Sequence, residues 1–152
     1  MVYHCRRYVH RYRLPVPDIE LAAAFHRLAR TAIDAELPVL RAHDLQMWDY
    51  AVLRGLREGP AQTQATLADA VGRDRTRLIP ILDRLEARGL LRREPDPGDR
   101  RNRIVSITGE GRELTDSAAA GIRAVEEADL LDGLEPAERA ALRSLLARLL
   151  DD

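Results

Sequence analysis

Apolar positions recur at helical spacing along most of this chain, interrupted by one short alternating stretch. Ile19, Leu21, Ala22, Phe25, Leu28, Ala29, Ala32 and Ile33 predict a first helix over residues 18–36. Asp18 is its expected cap, and Pro38 its stop, because proline disfavours helix at the preceding residue. A second helix, 45–57, carries Leu45, Trp48, Val52 and Leu56 inward and ends at Gly59-Pro60. Thr63 caps a short third helix, 64–71, which presents Leu67, Ala70 and Val71 and stops at Gly72. Asp74 or Thr76 caps a fourth, with Leu78, Ile81, Leu82 and Leu85 inward and Gly89 as its end. Residues 90–93 then read as a strand, followed by a Pro/Gly turn and the alternating stretch 104–108. A fifth helix runs over 109–131, favoured by Glu110 and Glu113 at its positive end but without a capping box. Asp132-Gly133 breaks it. A sixth begins at Glu135 or Pro136 and shows a stripe of Leu142, Leu145, Leu146, Leu149 and Leu150.

Helix, turn, helix, strand, arginine-bearing turn, strand is the order of a winged helix. The expected fold is mainly α with a small β-hairpin wing: a winged helix-turn-helix lobe with helices before and after it. Residues 1–17 read as a flexible basic arm, 18–42 as a dimerisation helix, 43–108 as the DNA-binding lobe and 109–152 as C-terminal dimerisation helices. The lobe has its own apolar core, so the outer stripes need a partner. A second copy supplies one, with Ile19, Phe25, Leu142, Leu145, Leu146 and Leu149 at the two-fold interface of a homodimer.

Charge sharpens this picture. The net charge is −1, yet residues 1–17 carry four arginines and no acid, and residues 71–103 carry ten arginines against six acids. Residues 104–152 hold five arginines against eleven acids. An acidic body with a basic edge suits a protein that meets double-stranded DNA with one face. No apolar run reaches the roughly 18–20 residues that cross a bilayer, the start lacks a secretory signal pattern, and the single Cys5 can form no internal disulfide. A cytoplasmic protein with no membrane partner is expected. No Gly-rich phosphate loop, metal-ligand cluster or nucleophile elbow is present, so neither enzyme activity nor a cofactor is expected.

Base edges in the major groove are read by side chains near the N-terminus of an inserted helix. Here those are Arg73, Arg75, Thr76 and Arg77, with Thr63 and Gln64 at the start of the third helix placed for the phosphate backbone. Arg100, Arg101 and Arg103 in the wing suit a narrow minor groove. Asp99 would repel phosphate, and its expected role is to hold the Arg101 guanidinium in a bidentate pair.

The chain resembles the MarR-type transcriptional regulators over roughly residues 45 to 115. The resemblance rests on Tyr50-Ala51-Val52-Leu53, on Gly59-Pro60 with Thr63-Gln64 and Leu67-Ala68, on Leu82-Asp83-Arg84-Leu85-Glu86-Ala87-Arg88-Gly89-Leu90, on the wing Pro97-Gly98-Asp99-Arg100-Arg101, and on Ser106-Ile107-Thr108-Gly109-Glu110-Gly111. It implies a homodimer joined by terminal helices, binding a pseudo-palindrome, usually repressing, and often released by a small aromatic or phenolic ligand. Two departures stand out. Arg77 and Ile79 occupy positions where the family often has small hydroxyl residues, and Pro80 follows in the second turn. The basic arm is also longer than usual.

In this family the effector pocket lies between the dimer helices and the lobe. The corresponding candidates are His26 and Arg30 on the first helix, with His43, Met47, Trp48 and Tyr50 on or before the second. Trp48 and Tyr50 could stack on an aromatic ring, and Arg30 or a histidine could pair with a carboxylate. The alternative functions are a winged-helix protein-interaction module without DNA binding, or a regulator that senses redox state through Cys5. A metal site at His4, Cys5 and His10 matches no usual spacing, and no metal is expected.

Overall fold

The structure, a computed structural model, describes residues 19–59, 62–99 and 101–150. The basic arm, Asp18, Arg100 and the cysteine–histidine group near the start therefore lie outside the described residues. In chain order the elements are α1 (Leu21–Ala42), α2 (Met47–Glu58), β1 (Gln62–Thr63), α3 (Gln64–Ala70), α4 (Arg75–Ala87), β2 (Leu91–Pro95), β3 (Arg103–Ile107), α5 (Gly109–Val125) and α6 (Pro136–Leu150). A π-helical turn, Glu126–Leu130, continues α5 before the chain bends into α6.

The first helix departs from expectation at both ends. The N-cap position falls at Glu20, with no side-chain cap, whereas the expected cap was Asp18, which lies outside the described residues. At the other end α1 runs through Pro38 to Ala42 rather than stopping near Glu36. The local cost of an interior proline is offset because the added turn carries Leu40 into full burial, a contribution of about 1.5–3 kcal/mol. The helix then closes on Asp44 at φ 52, with Asp44 N–H donating to Arg41 O and Leu45 N–H to Leu40 O.

Local signals set most of the lobe. The Thr63 hydroxyl accepts the Thr66 N–H at the start of α3, and the Asp74 carboxylate accepts the Arg77 N–H at the start of α4. Gly72 sits between them at φ 65, a left-handed conformation that L side chains rarely adopt. Thr108 caps α5 by accepting the Gly111 N–H, and its hydroxyl donates to Gly89 O at 2.7 Å, joining the end of α4 to the start of α5. The approach there is close: a Cβ on Gly111 would lie 2.0 Å from Leu90 O.

The wing is larger than a hairpin. β2 and β3 pair antiparallel with Leu91 opposite Ile107 and Pro95 opposite Arg103, and β1 adds a third strand with Gln62 opposite Val105. Leu91, Val105 and Ile107 turn inward onto a core formed with Leu40, Val52, Leu53, Leu67, Leu78, Leu82 and Leu85. The ends of the chain are different. α6 buries no residue, and Phe25, Leu28, Ile33, Leu145, Leu146 and Leu149 are exposed. No helix among the described residues is long and apolar enough to cross a membrane.

One buried carboxylate fixes α2 against α4. Asp49, 1% exposed, accepts the Gln46 N–H at 2.9 Å and forms an ion pair with Arg84 of α4. Asp49→Ala is expected to lower the unfolding free energy by about 2–4 kcal/mol, since it removes a cap and leaves the Arg84 charge without its partner. Asp49→Asn, which keeps the acceptor, should lose less. Urea denaturation at fixed protein concentration checks both, and equal stability in Asp49→Ala would refute the assignment.

Candidate nucleic-acid interface

The N-terminal end of α4 and the wing form the basic edge. Arg75, Thr76 and Arg77 project exposed from the first turn of α4, with the Arg77 Nε 3.3 Å from Asp74 Oδ2. Thr63 and Gln64 stand half-buried at the start of α3. Gln64 and Arg103 line a polar cleft of about 400 Å³ together with Glu86 and Arg93. Arg101 and Arg103 are exposed on the wing and have no carboxylate partner among the described residues.

Asp99 plays another part than the expected one. Its Oδ1 accepts the Arg101 backbone N–H at 3.0 Å, and its Oδ2 accepts the Asn102 side-chain amide at 3.1 Å. Asp96 likewise accepts the Gly98 N–H, and the Asn102 N–H closes the turn on Asp99 O. The two acids thus fold the wing tip through its backbone. The Arg101 guanidinium is left unheld because a carboxylate already bonded to two local donors makes no fork with it.

Arg73 also departs from its neighbours. Its guanidinium lies over the Trp48 ring, 3.7 Å from the centroid, rather than out beside Arg75 and Arg77. This contact occupies a face of Trp48 on which an aromatic ligand was expected to stack.

The other pocket candidates scatter. His26 and Arg30 are exposed on α1 and do not line the main cavity. His43 Nδ1 donates to Val39 O at 2.9 Å, because a carbonyl can only accept, and Nε2 lies 3.0 Å from the Ser117 hydroxyl. His43 therefore ties α1 to α5, while Met47 packs against the core. Only Tyr50 lines the cavity of about 430 Å³ between α2 and α5, where it meets Arg54, Arg57, Ile122, Arg123, Glu126 and Arg143. Arg57 pairs there with Asp116 at 3.1 Å. Burial holds the Tyr50 hydroxyl above its ordinary value. Burial, and after it the Glu126 charge, raise the nearby Glu36 carboxyl above its own. Sequence reading missed the arginines of this cavity, although Tyr50, Arg54 and Arg57 follow the i, i+4, i+7 spacing of one helix face.

It also missed the brace behind the wing. Arg93 of β2, 17% exposed, donates to Glu86 through its backbone N–H, Nε and Nη2, and to Asp83 at 2.6 Å. The brace locks the sheet to α4. Hydrogen bonds from the Arg93 side chain hold the Glu86 carboxyl below its ordinary 4.5.

Comparison with known proteins agrees with this architecture. The profile of the MarR family matches residues 45–102. The transcriptional regulator HosA of Escherichia coli O111:H- is 33% identical over 108 residues, covering 71% of this chain and 79% of HosA. The solved structure of the transcriptional repressor CouR bound to a 23-mer DNA duplex superposes with a TM-score of 0.74 at 30% identity, covering 86% of this chain and 92% of that one. BpsR of Bordetella bronchiseptica, whose DNA binding is regulated by 6-hydroxynicotinic acid, gives a TM-score of 0.71 at 26% identity, covering 88% of this chain and 94% of that one.

The lowered Glu86 carboxyl has a pH consequence. Its contribution to stability is full above pH 4.5 and is lost as pH falls through the depressed folded value. The melting-temperature gap between wild type and Glu86→Gln should therefore be constant above pH 4.5 and close below it. A gap unchanged from pH 7 to pH 3 would show that the pair is not linked to folding. With the winged lobe, its basic edge and these relatives together, the chain belongs to the MarR family of transcriptional regulators.

Proposed function

We propose that the protein is a homodimeric repressor that binds a pseudo-palindromic operator and is neither an enzyme nor a membrane protein. α4 enters the major groove with Arg75, Thr76 and Arg77, while Arg101 and Arg103 reach the flanking minor groove. The carrying observation is the shared exposure of these side chains beside a wing whose acids are turned onto its own backbone. A wing with free carboxylates would repel phosphate; this one presents cations. Duplex-bound CouR supports the docking mode.

The exposed leucines of α6 and the apolar face of α1, with Ile19, Phe25, Leu145 and Leu149, support a two-fold dimer. In it the terminal helices of two copies cover one another, and the lobe stays free for DNA. A cytoplasmic location follows from this role.

The cavity between α2 and α5 is the proposed effector site. Its walls set Arg54, Arg57, Arg123 and Arg143 against Asp116 and Glu126, over an apolar surface of Tyr50, Ala119 and Ile122. Excess positive charge beside an aromatic ring fits a planar aromatic carboxylate, as 6-hydroxynicotinic acid is for BpsR.

Selection from a random duplex pool tests the DNA reading. The expected product is two half-sites about one helical turn apart, with affinity falling steeply as salt rises. Arg101→Ala should weaken binding and reduce the salt slope by about one. Enrichment of no duplex, or an unpaired half-site, would overturn the repressor or the dimer respectively. For the effector, 6-hydroxynicotinic acid should release the selected duplex from wild type but not from Arg123→Ala. Equal release from both would place the ligand elsewhere.

A further inference from the structure

We infer that Arg73 is a positioning residue: its stack on Trp48 sets the reading helix against α2, and its guanidinium does not contact the duplex. This rests on the DNA-binding reading above. It separates Arg73 from the neighbouring arginines that share its sequence context.

The backbone on both sides of Arg73 is already committed. Its own N–H donates to Ala68 O at 2.9 Å, and the Gly72 N–H donates to Asp69 O at 3.1 Å, which together close the C-terminus of α3. The next residue, Asp74, caps α4. Arg73 is thus the single link between the last hydrogen bond of α3 and the first of α4. Its side chain is the remaining means of orienting that joint, and it reaches back across the lobe to the first turn of α2.

Two observations mark this as a built contact. The guanidinium carbon sits 3.7 Å from the centre of the Trp48 ring, well within the distance at which a cation is attracted by the ring face. The Nε is buried, so this end of the side chain is covered by the fold rather than held out in water. An arginine held for phosphate would keep its donors in water, as exposed Arg75 does. The stack also adjoins Asp49, whose pair with Arg84 holds α4 further along. The first turn of α2 thereby holds the reading helix at Arg84 and the residue just before its cap at Arg73, two separated points that define its angle.

Trp48 is the one tryptophan in the chain, so its fluorescence reports the stack directly. The experiment compares wild type with Arg73→Ala, Arg73→Lys and Arg75→Ala. Each is titrated with the selected duplex over a range of salt, and acrylamide quenching of Trp48 is measured without DNA. Arg73→Ala should lose about tenfold in affinity at an unchanged salt slope, and its Trp48 should be quenched more readily. Arg73→Lys should recover part of both. Arg75→Ala should reduce the slope by about one and leave quenching as in wild type. A slope reduced in Arg73→Ala as in Arg75→Ala, or quenching unchanged from wild type, would overturn the proposal. If Arg73→Ala does not fold, Arg73→Lys carries the same comparison with smaller shifts. A wild-type protein that selects no duplex overturns the DNA-binding reading instead, and quenching in Arg73→Ala still decides the stack on its own.

Discussion

The ion pair between Asp49 and Arg84 is the contact on which the placement of the basic edge depends. A carboxylate taken out of water is costly unless its lone pairs are filled. Asp49 fills them with the Gln46 N–H at the start of α2, where the positive end of the helix also favours a negative charge, and with a guanidinium from α4. Arg88, one turn beyond Arg84, donates to the carbonyls of Asp44 and His43, where α1 ends. Arginines on α4 and just after it therefore reach back to the α1–α2 junction. The orientation of the reading helix is set by its rear face, far from the groove its front would enter.

Sequence reading found the elements whose causes are local. The caps Thr63 and Asp74 and the turn at Gly72 act within four residues of themselves, so their signals are complete in the sequence. It failed where the cause lies elsewhere in space. Pro38 carries a correct local preference that the burial of Leu40 overrides. β1 is two residues long and exists because β3 offers it an edge. The π turn inserts a residue's worth of slack that helical periodicity does not announce; Glu126 and Glu127 there take Arg143 and Arg139 from α6. Asp99 was expected to hold the Arg101 guanidinium, but its partners are the Arg101 backbone N–H and the Asn102 amide, donors that no charge count reveals.

The same distinction limits what the arginine count means. Ten arginines between residues 71 and 103 suggested a basic surface, yet many hold the fold together. Arg73 lies on Trp48, Arg84 on Asp49, Arg88 on two carbonyls, and Arg93 on Asp83 and Glu86. Arg92 engages Ser106 and Glu94 on the outer face of the sheet. The described arginines left to meet phosphate are Arg75, Arg101 and Arg103, with Arg77 beside its own cap. Net charge thus overstates the contact charge, because several of these cations are engaged by other groups of the fold.

Arg77 shows how exposure decides between the two roles. Its pair with Asp74 lies in water, with both side chains more than half exposed. Such a pair contributes about 0–1 kcal/mol and weakens with salt. A phosphate arriving at the helix N-terminus meets backbone N–H groups and the positive end of the dipole as well as the guanidinium, so exchange of Asp74 for phosphate costs little. Arg93 could not make the same exchange: it donates to two carboxylates with its side chain largely covered, and leaving them would strand Glu86 against the sheet. Two arginines of identical charge are thus assigned opposite tasks by solvent access and by the number of carboxylates they hold, one free to change partners and one held to its own.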